Sequence, residues 1–149
     1  MTRTLTKSLA VAALALLLAR PAVAIELEPG EWQGTESGTE NGEPAAPQTS
    51  TACISKADSR DLVKALTALK EVAGQKCATV DLHDEAKSLS FRIECGTPDK
   101  LSIFVDVKLT FENARHYSGE IKSSISLGGK TTSSDKQIDS RRIGPCKPE

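Results

Sequence analysis

Apolar and polar residues alternate over eleven positions in the segment LSIFVDVKLTF, and no other feature restricts the fold of this chain as strongly. The apolar side chains occupy every second position from Leu101 to Phe111. Because successive side chains of a β-strand point to opposite faces of a sheet, the segment is predicted to be a strand with one buried face. After the polar ENAR, the segment HYSGEIKSSISL has the same alternation. The two segments are therefore predicted to form an antiparallel hairpin.

Five further segments complete a predicted sheet of about seven strands. SLSFRIEC carries its apolar residues on one face, and ATVDL carries Ala78, Val80 and Leu82 on one face, with HDEAK as the turn between them. A weak last strand is predicted at 138–143, after the turn GGKTTSSDKQ. Two early strands precede the first cysteine, with ESGTENGEPAAPQ assigned to a loop by its composition.

In the segment SKADSRDLVKALTALKEVAG the apolar residues recur with the spacing of an α-helix. Its apolar stripe consists of Leu62, Val63, Leu66 and Leu69, Ser55 or Asp58 can cap its start, and Gly74 can end it. One amphipathic helix of about four turns is predicted, and its stripe is expected to share a core with the apolar face of 101–111. The predicted fold is mainly β with one helix (α+β). It is an antiparallel curved sheet or partly closed barrel of about seven strands, covered by this amphipathic helix.

The first 24 residues have the pattern of a cleaved export signal. A basic start with Arg3 and Lys7 leads into the apolar LAVAALALLLA, and AVA supplies small residues at a cleavage site after Ala24. A membrane anchor is the alternative, but the apolar stretch is about half as long as a spanning helix needs. We therefore predict a signal peptide at 1–24 and a single disulfide-stabilised β-rich domain at 25–149, with no membrane span after cleavage.

The predicted mature domain is mildly acidic. Removal of Arg3, Lys7 and Arg20 from the 19 basic residues leaves 16 against 20 acidic ones, so the formal net charge becomes −4. No block of basic residues remains to form a positively charged patch. Nucleic acid and anionic membrane are therefore not expected as main partners.

Four cysteines, at positions 53, 77, 95 and 146, all lie in the predicted domain. An even number in a small exported domain predicts two disulfides. A zinc site is disfavoured, because no two of these cysteines have the close spacing typical of zinc ligands. Of the three possible connectivities, we favour Cys77 with Cys95, which flank a predicted hairpin, and Cys53 with Cys146. The apolar faces do not bring Cys77 and Cys95 together directly, so this pair requires a bulge or a position of Cys77 just outside its strand.

Candidate catalytic residues are few. His83 and His116 lie in or beside predicted turns and are interpreted as solvated, and the acidic turn around Asp84 lacks the ligand order of an EF-hand. No nucleophile motif, phosphate-binding loop or dinucleotide fingerprint is found. We therefore predict no catalytic residue, no metal, no cofactor and no enzymatic activity. Two function classes remain: a binding module for a small apolar or amphipathic molecule between sheet and helix, and an envelope protein that acts as a scaffold or binds another protein through a strand face or sheet edge.

The start LEPGEWQG contains the only tryptophan of the chain. A glycine two residues before a tryptophan near the first strand, with an arginine near the end of the last strand, resembles the arrangement in lipocalins and other calycins. There the ring closes one end of a barrel and the arginine lies over it. In this chain the matching residues are Gly30, Trp32 and either Arg141 or Arg142, although a helix after the second strand does not belong to the lipocalin plan. Trp32 is predicted to be a structural plug, with the alternative that it is half-buried without an arginine over the ring.

A second resemblance covers nearly the whole chain. The order of signal peptide, LEPGEW, PQTSTACIS, helix, central cysteine, FRIEC, HYSGEI and a terminal RRIGPC resembles the bacterial exported family known as domain of unknown function family 3617. Members are generally exported from Gram-negative cells, which implies a periplasmic location. The resemblance implies no activity and supplies no catalytic residues.

Overall fold

The structure is a computed structural model that describes residues 26–68, 70–97 and 100–147. The predicted signal peptide lies outside these residues. Eight strands form one antiparallel sheet in the order β2-β1-β8-β7-β6-β5-β4-β3. The strands are β1 (Gly30–Glu40), β2 (Glu43–Ile54), β3 (Glu71–Val72), β4 (Gln75–Glu85), β5 (Ser88–Gly96), β6 (Leu101–Asn113), β7 (His116–Leu127) and β8 (Lys130–Gly144). Helices α1 (Lys56–Arg60) and α2 (Leu62–Thr67) connect β2 to β3.

The mainly β, antiparallel class is confirmed, but the details of the strands differ from the prediction. The sheet has eight strands rather than about seven, because the two residues of β3 pair with β4. It is open, with β2 at one edge and β3 at the other. The last strand is 15 residues long. It forms despite its weak hydrophobic pattern, because its main chain pairs with both β1 and β7.

The segment predicted as a loop between the early strands is a hairpin. β1 and β2 are joined by Asn41 and Gly42, both with positive φ (51° and 81°), as a tight hairpin turn requires. Pro44 and Pro47 lie in β2, where composition argued against a strand. An edge strand tolerates proline because one side of its backbone needs no partner within the sheet.

The predicted single helix is also wrong, since two short helices replace it. Ser55 caps α1, accepting a hydrogen bond from the Asp58 amide at 3.1 Å. The helix breaks at Asp61 (φ −133°, ψ 61°), whose carboxylate accepts the Lys64 amide at 3.1 Å and starts α2. An aspartate that binds its own backbone competes with helix continuation, and this local effect outweighs the apolar period. Leu62 packs on the core, Leu66 is 37% exposed, and Leu69 lies outside the described residues.

The expected core face of 101–111 is confirmed. Ile103, Leu109 and Phe111 are buried, and the other apolar residues of this face pack against the same core. Phe104, on the opposite face, is 39% exposed. The faces of β6 were therefore assigned correctly from alternation alone.

A bulge in β4 explains how Cys77 and Cys95 can pair although the predicted apolar faces of their strands do not bring them together. Cys77 pairs directly with Cys95, and the register shifts between Val80 and His83, next to Asp81 with φ 51°. The assignment of Ala78, Val80 and Leu82 to the core face is wrong: Cys77 and Thr79 lie opposite Cys95 and Ile93, and Leu82 is 46% exposed. A one-residue shift is enough to reverse a strand's faces.

Two disulfides join the pairs that the sequence favours. Cys77–Cys95 links the adjacent strands β4 and β5. Cys53–Cys146 links the edge strand β2 to the segment after β8, across the start of β1, where Glu31 pairs with both Cys53 and Gly144. The second disulfide therefore holds three strands together at one end of the sheet.

Candidate functional site

A partly open cavity of about 450 Å³ lies between the inner face of the sheet and α2. The sheet is strongly curved, because residues of β2 and of β5, far apart in the strand order, line the same cavity. Its lining is formed by Trp32, Gly34, Thr35, Glu36, Ser50, Ala52, Cys53, Ile54, Asp58, Leu62, Ala65, Leu66, Phe91, Ile93, Val107, Leu109, Phe111, Tyr117, Ile121, Ile138 and Ser140. A cavity between sheet and helix is where the binding-module hypothesis expects a ligand.

The cavity exists because one row of the sheet carries small side chains. Ser50, Gly34 and Ser140 are direct neighbours across β2, β1 and β8. A Cβ atom added to Gly34 would meet only the two serine hydroxyls, each at 3.8 Å. On the other half of the sheet, large residues such as Phe91 and Leu109 fill the inner face. The cavity therefore lies over this row of small residues.

Aromatic residues form much of the wall. Of the five aromatic residues in the chain, four line the cavity: Trp32, Phe91, Phe111 and Tyr117. The Tyr117 ring lies next to two of the others: its centroid is 5.5 Å from that of Trp32 and 6.0 Å from that of Phe111. Such tilted pairs stabilise each other beyond the area that they bury.

The N-terminal segment before β1 is bound to Trp32, which lines the cavity. Trp32 is 2% exposed, and its indole N–H donates to the Glu28 carbonyl at 3.1 Å. Leu27, 1% exposed, is buried beside it in the core. The Glu28 carboxylate binds Arg115 at 3.0 Å, and its backbone amide donates to the Ala114 carbonyl at 2.8 Å, which fixes the segment to the turn between β6 and β7. Leu27 was not identified from the sequence, because it is a single apolar residue before β1 and is not part of an alternating or helical pattern.

The structure brings Gly30, Trp32 and Arg142 together, but not Arg141. Arg142 lies opposite Trp32 in the strand register, and its Nε donates to the Pro29 carbonyl at 2.9 Å. A Cβ on Gly30 (φ 151°) would lie 2.6 Å from that Nε, so glycine leaves the room for the guanidinium group. Arg141 instead binds Asp139 at 3.0 Å and is exposed. Within the described residues the ring contact of Trp32 is with Tyr117, and no arginine stacks on it.

The charged residues in the cavity lining are both acidic. They are Glu36 on β1 and Asp58 on α1, and Asp58 accepts a hydrogen bond from the Ser55 hydroxyl at 2.6 Å. Lys136 lies just outside the lining, with its Nζ 3.3 Å from Glu40 and 3.9 Å from Glu36. Any charged group that enters the cavity therefore meets carboxylates first.

The histidines differ from each other. His83 is exposed, as its interpretation as solvated requires. The His116 side chain is only 14% exposed, with Nδ1 3.1 Å from Glu112 and Nε2 2.7 Å from Asp139. The hydrogen bond from His116, and then that from Arg141, lowers the pKa of Asp139 below its ordinary value. The interpretation of His116 as a solvated turn residue was thus wrong, because β7 begins at this residue and β8 places a carboxylate beside it.

The outer face of the sheet carries a ladder of alternating charge. Arg92, Asp106, Lys122 and Asp135 are neighbours across β5, β6, β7 and β8. Arg92 binds Asp106 through two hydrogen bonds of 2.7 and 3.0 Å, and Lys122 binds Asp135 at 3.1 Å. The hydrogen bond from Arg92 lowers the pKa of Asp106. This face is therefore a polar surface, in contrast to the apolar inner face.

The chain was compared with protein families, curated proteins and solved structures. A family model described as "Protein of unknown function (DUF3617)" matches residues 27–146. No curated protein and no solved structure matches the chain. Among residues 26–68, 70–97 and 100–147, no helix has the length and apolar character to cross a membrane. In the same residues, no three or more side chains of His, Cys, Asp or Glu are grouped to hold a metal ion.

Proposed function

The chain belongs to the DUF3617 family, a family described without an activity, and from its own geometry we propose that it is a non-enzymatic binding protein for a small apolar or amphipathic molecule. The observation that carries the proposal is the cavity of about 450 Å³ on the inner face of the sheet. Its volume falls within the range of about 300 to 1,000 Å³ that small-molecule sites have. Its walls combine apolar and aromatic side chains with a few hydroxyls, as such sites do.

The cavity has a rigid frame. The lining residue Trp32 is buried, and the Cys53–Cys146 disulfide holds the edge strand β2 against the sheet. A preorganised cavity loses less conformational entropy when a ligand enters, which favours binding.

The protein is exported by a cleaved signal peptide and works in the periplasm. The export pattern of residues 1–24 and the two disulfides support this, since disulfides persist in oxidising compartments.

The experiment uses Trp32 as the reporter, since it is the single tryptophan and lines the cavity. A dodecanol brominated in its alkyl chain quenches tryptophan fluorescence on contact. We expect saturable quenching by this probe, and little quenching by iodide in water, because Trp32 is 2% exposed. Native mass spectrometry before and after organic extraction then shows whether a natural small molecule is carried.

Two glycine variants provide a matched pair. Gly34→Leu places a side chain in the cavity, and Gly144→Leu adds the same side chain at a position with no atom within 4 Å of the new Cβ and outside the lining. Quenching by the brominated dodecanol should be lost in the first variant and kept in the second. Equal saturable quenching in both variants would locate binding elsewhere and refute the proposal.

The alternative function is an envelope protein that acts as a scaffold or binds another protein. One observation favours it: β2 is a sheet edge of 12 residues, most of them exposed. An exposed edge can pair with an extended segment of a partner. Capture of one envelope protein by the wild type, lost in Thr49→Lys/Thr51→Lys and unaffected by Gly34→Leu, would support this function instead.

A further inference from the structure

The charges at the cavity all have one sign. Glu36 and Asp58 are in the lining, and the described residues that line the cavity include no lysine, arginine or histidine. The nearest lysine on the same face, Lys136, is bound by Glu40 and Glu36 at 3.3 and 3.9 Å. With Lys136 included, the group of Glu36, Glu40 and Asp58 still has three carboxylates against one ammonium, a formal net charge of −2. A carboxylate or phosphate in the cavity meets net negative charge in a partly desolvated site, which is unfavourable.

The aromatic wall also favours a cation. Trp32, Tyr117 and Phe111 stand side by side, with ring centroids 5.5 and 6.0 Å apart. The face of an aromatic ring attracts an ammonium group, and quaternary ammonium ligands are recognised by such clusters. No arginine lies over these rings within the described residues. Trp32 and Phe111 are buried, so the half-buried Tyr117 is the ring of the three that a ligand in the cavity can reach.

A buried hydroxyl next to these rings supplies a polar contact. Ser140 is 5% exposed, lines the cavity and pairs with Tyr117 in the strand register. Its hydroxyl takes no part in the side-chain hydrogen bonds of the residues that the structure describes. No fully buried side-chain polar atom of the described residues lacks a hydrogen-bond partner, so this hydroxyl is open to the cavity, where a ligand can bind it.

From these three observations we infer that the ligand is an amphiphile with a positively charged amine or quaternary ammonium group, rather than a fatty acid or another anionic lipid. The inference rests on the proposed binding function and adds the chemical class of the ligand. The alkyl part occupies the aliphatic wall below α2, and the cationic group lies between the aromatic rings and the carboxylates.

The test compares three molecules with the same 12-carbon chain: dodecyltrimethylammonium, dodecanol and dodecanoate. Each competes at low salt with the brominated dodecanol that quenches Trp32, below the concentrations at which micelles form. We expect the ammonium compound to bind about tenfold more tightly than the carboxylate, with the alcohol between them, and expect the difference to shrink in high salt. The comparison uses the wild-type protein and so does not depend on the folding of a variant.

A double variant assigns the preference to the cavity. Asp58→Asn/Glu36→Gln should reduce the preference to about twofold, whereas Glu43→Gln/Glu71→Gln, which removes the same charge from exposed positions outside the lining, should keep it. Tighter binding of dodecanoate, or equal binding of all three molecules, would refute the inference and leave the proposed function standing. Absence of quenching by the brominated alcohol itself would refute the proposed function.

Discussion

Substitution of Trp32 by alanine is the most direct test of the plug at the base of the cavity. The ring is 2% exposed, and its N–H is bound to the Glu28 carbonyl. A tryptophan buries about 150–250 Å², which at about 25 cal/mol per Å² corresponds to roughly 4–6 kcal/mol as an upper value. Trp32 lines the cavity, so neighbouring side chains have room to relax into the space that the ring leaves, and the lower end of the range for Trp→Ala applies. We expect a loss of about 3 kcal/mol.

A series at the same position separates the two contributions. Trp32→Phe keeps most of the buried ring and removes the indole donor, leaving the Glu28 carbonyl without this partner, so it should lower stability by about 1 kcal/mol. The comparison residue is Phe104, an aromatic of the outer face that is 39% exposed. Phe104→Ala should cost less than about 1 kcal/mol, as is usual for exposed positions.

The assay is equilibrium urea unfolding followed by far-ultraviolet circular dichroism, with both disulfides intact and no reliance on tryptophan fluorescence. A double-mutant cycle with Arg142→Ala measures the coupling between Trp32 and the arginine that fixes the Pro29 carbonyl. The double variant should lose less stability than the sum of the two single losses, because both residues hold the segment of Glu28 and Pro29. Similar losses for Trp32→Ala and Phe104→Ala, or an unchanged melting temperature for Trp32→Ala, would refute the plug and make Trp32 a surface contact.

Three further predictions test other parts of the structure. Val105→Asp places a charge on the inner face of β6 and should lower the free energy of unfolding by about 2–3 kcal/mol. Its control is Lys108→Ala, exposed on the outer face, which should change the free energy of unfolding by less than about 0.5 kcal/mol. Equal effects would mean that the faces are misassigned. Gly30→Ala should lower the melting temperature, because its Cβ would meet the guanidinium group and the φ of 151° is strained for alanine; an unchanged melting temperature would refute the close contact. The pKa of Asp106 is lowered by the hydrogen bond from Arg92, so its contribution is present above the unfolded pKa of about 3.9 and is lost as the pH falls through the lower folded value. Asp106→Asn should therefore lose less stability than the wild type as the pH falls from about 5 to about 3 in thermal melts, and parallel losses would show that the pair contributes nothing.

The sheet could be predicted where side-chain burial determines the structure. The face of β6 follows from alternation because its inner residues meet a core and its outer ones meet water. Prediction failed where the main chain decides. The last strand was predicted, but only at 138–143, whereas β8 pairs with two neighbours and extends over Lys130–Gly144. The bulge at Asp81 reverses a face that alternation alone assigned. The helix was divided by one aspartate, Asp61, whose local hydrogen bond no apolar period reveals.

The cavity is the clearest case of a site that a single sequence indicates only in outline. An inner face of small residues can mean either a tightly closed sheet or an empty volume, and the sequence does not separate the two. Ser50, Gly34 and Ser140 are far apart in sequence, yet the strand order places them in one row. The same order turns four of the five aromatic residues toward that row. A chain with so few aromatic residues needs them for its core, and here they also form the wall of the cavity. This arrangement lowers the packing density of the core next to the cavity, which is the loss of stability that the proposed binding function requires.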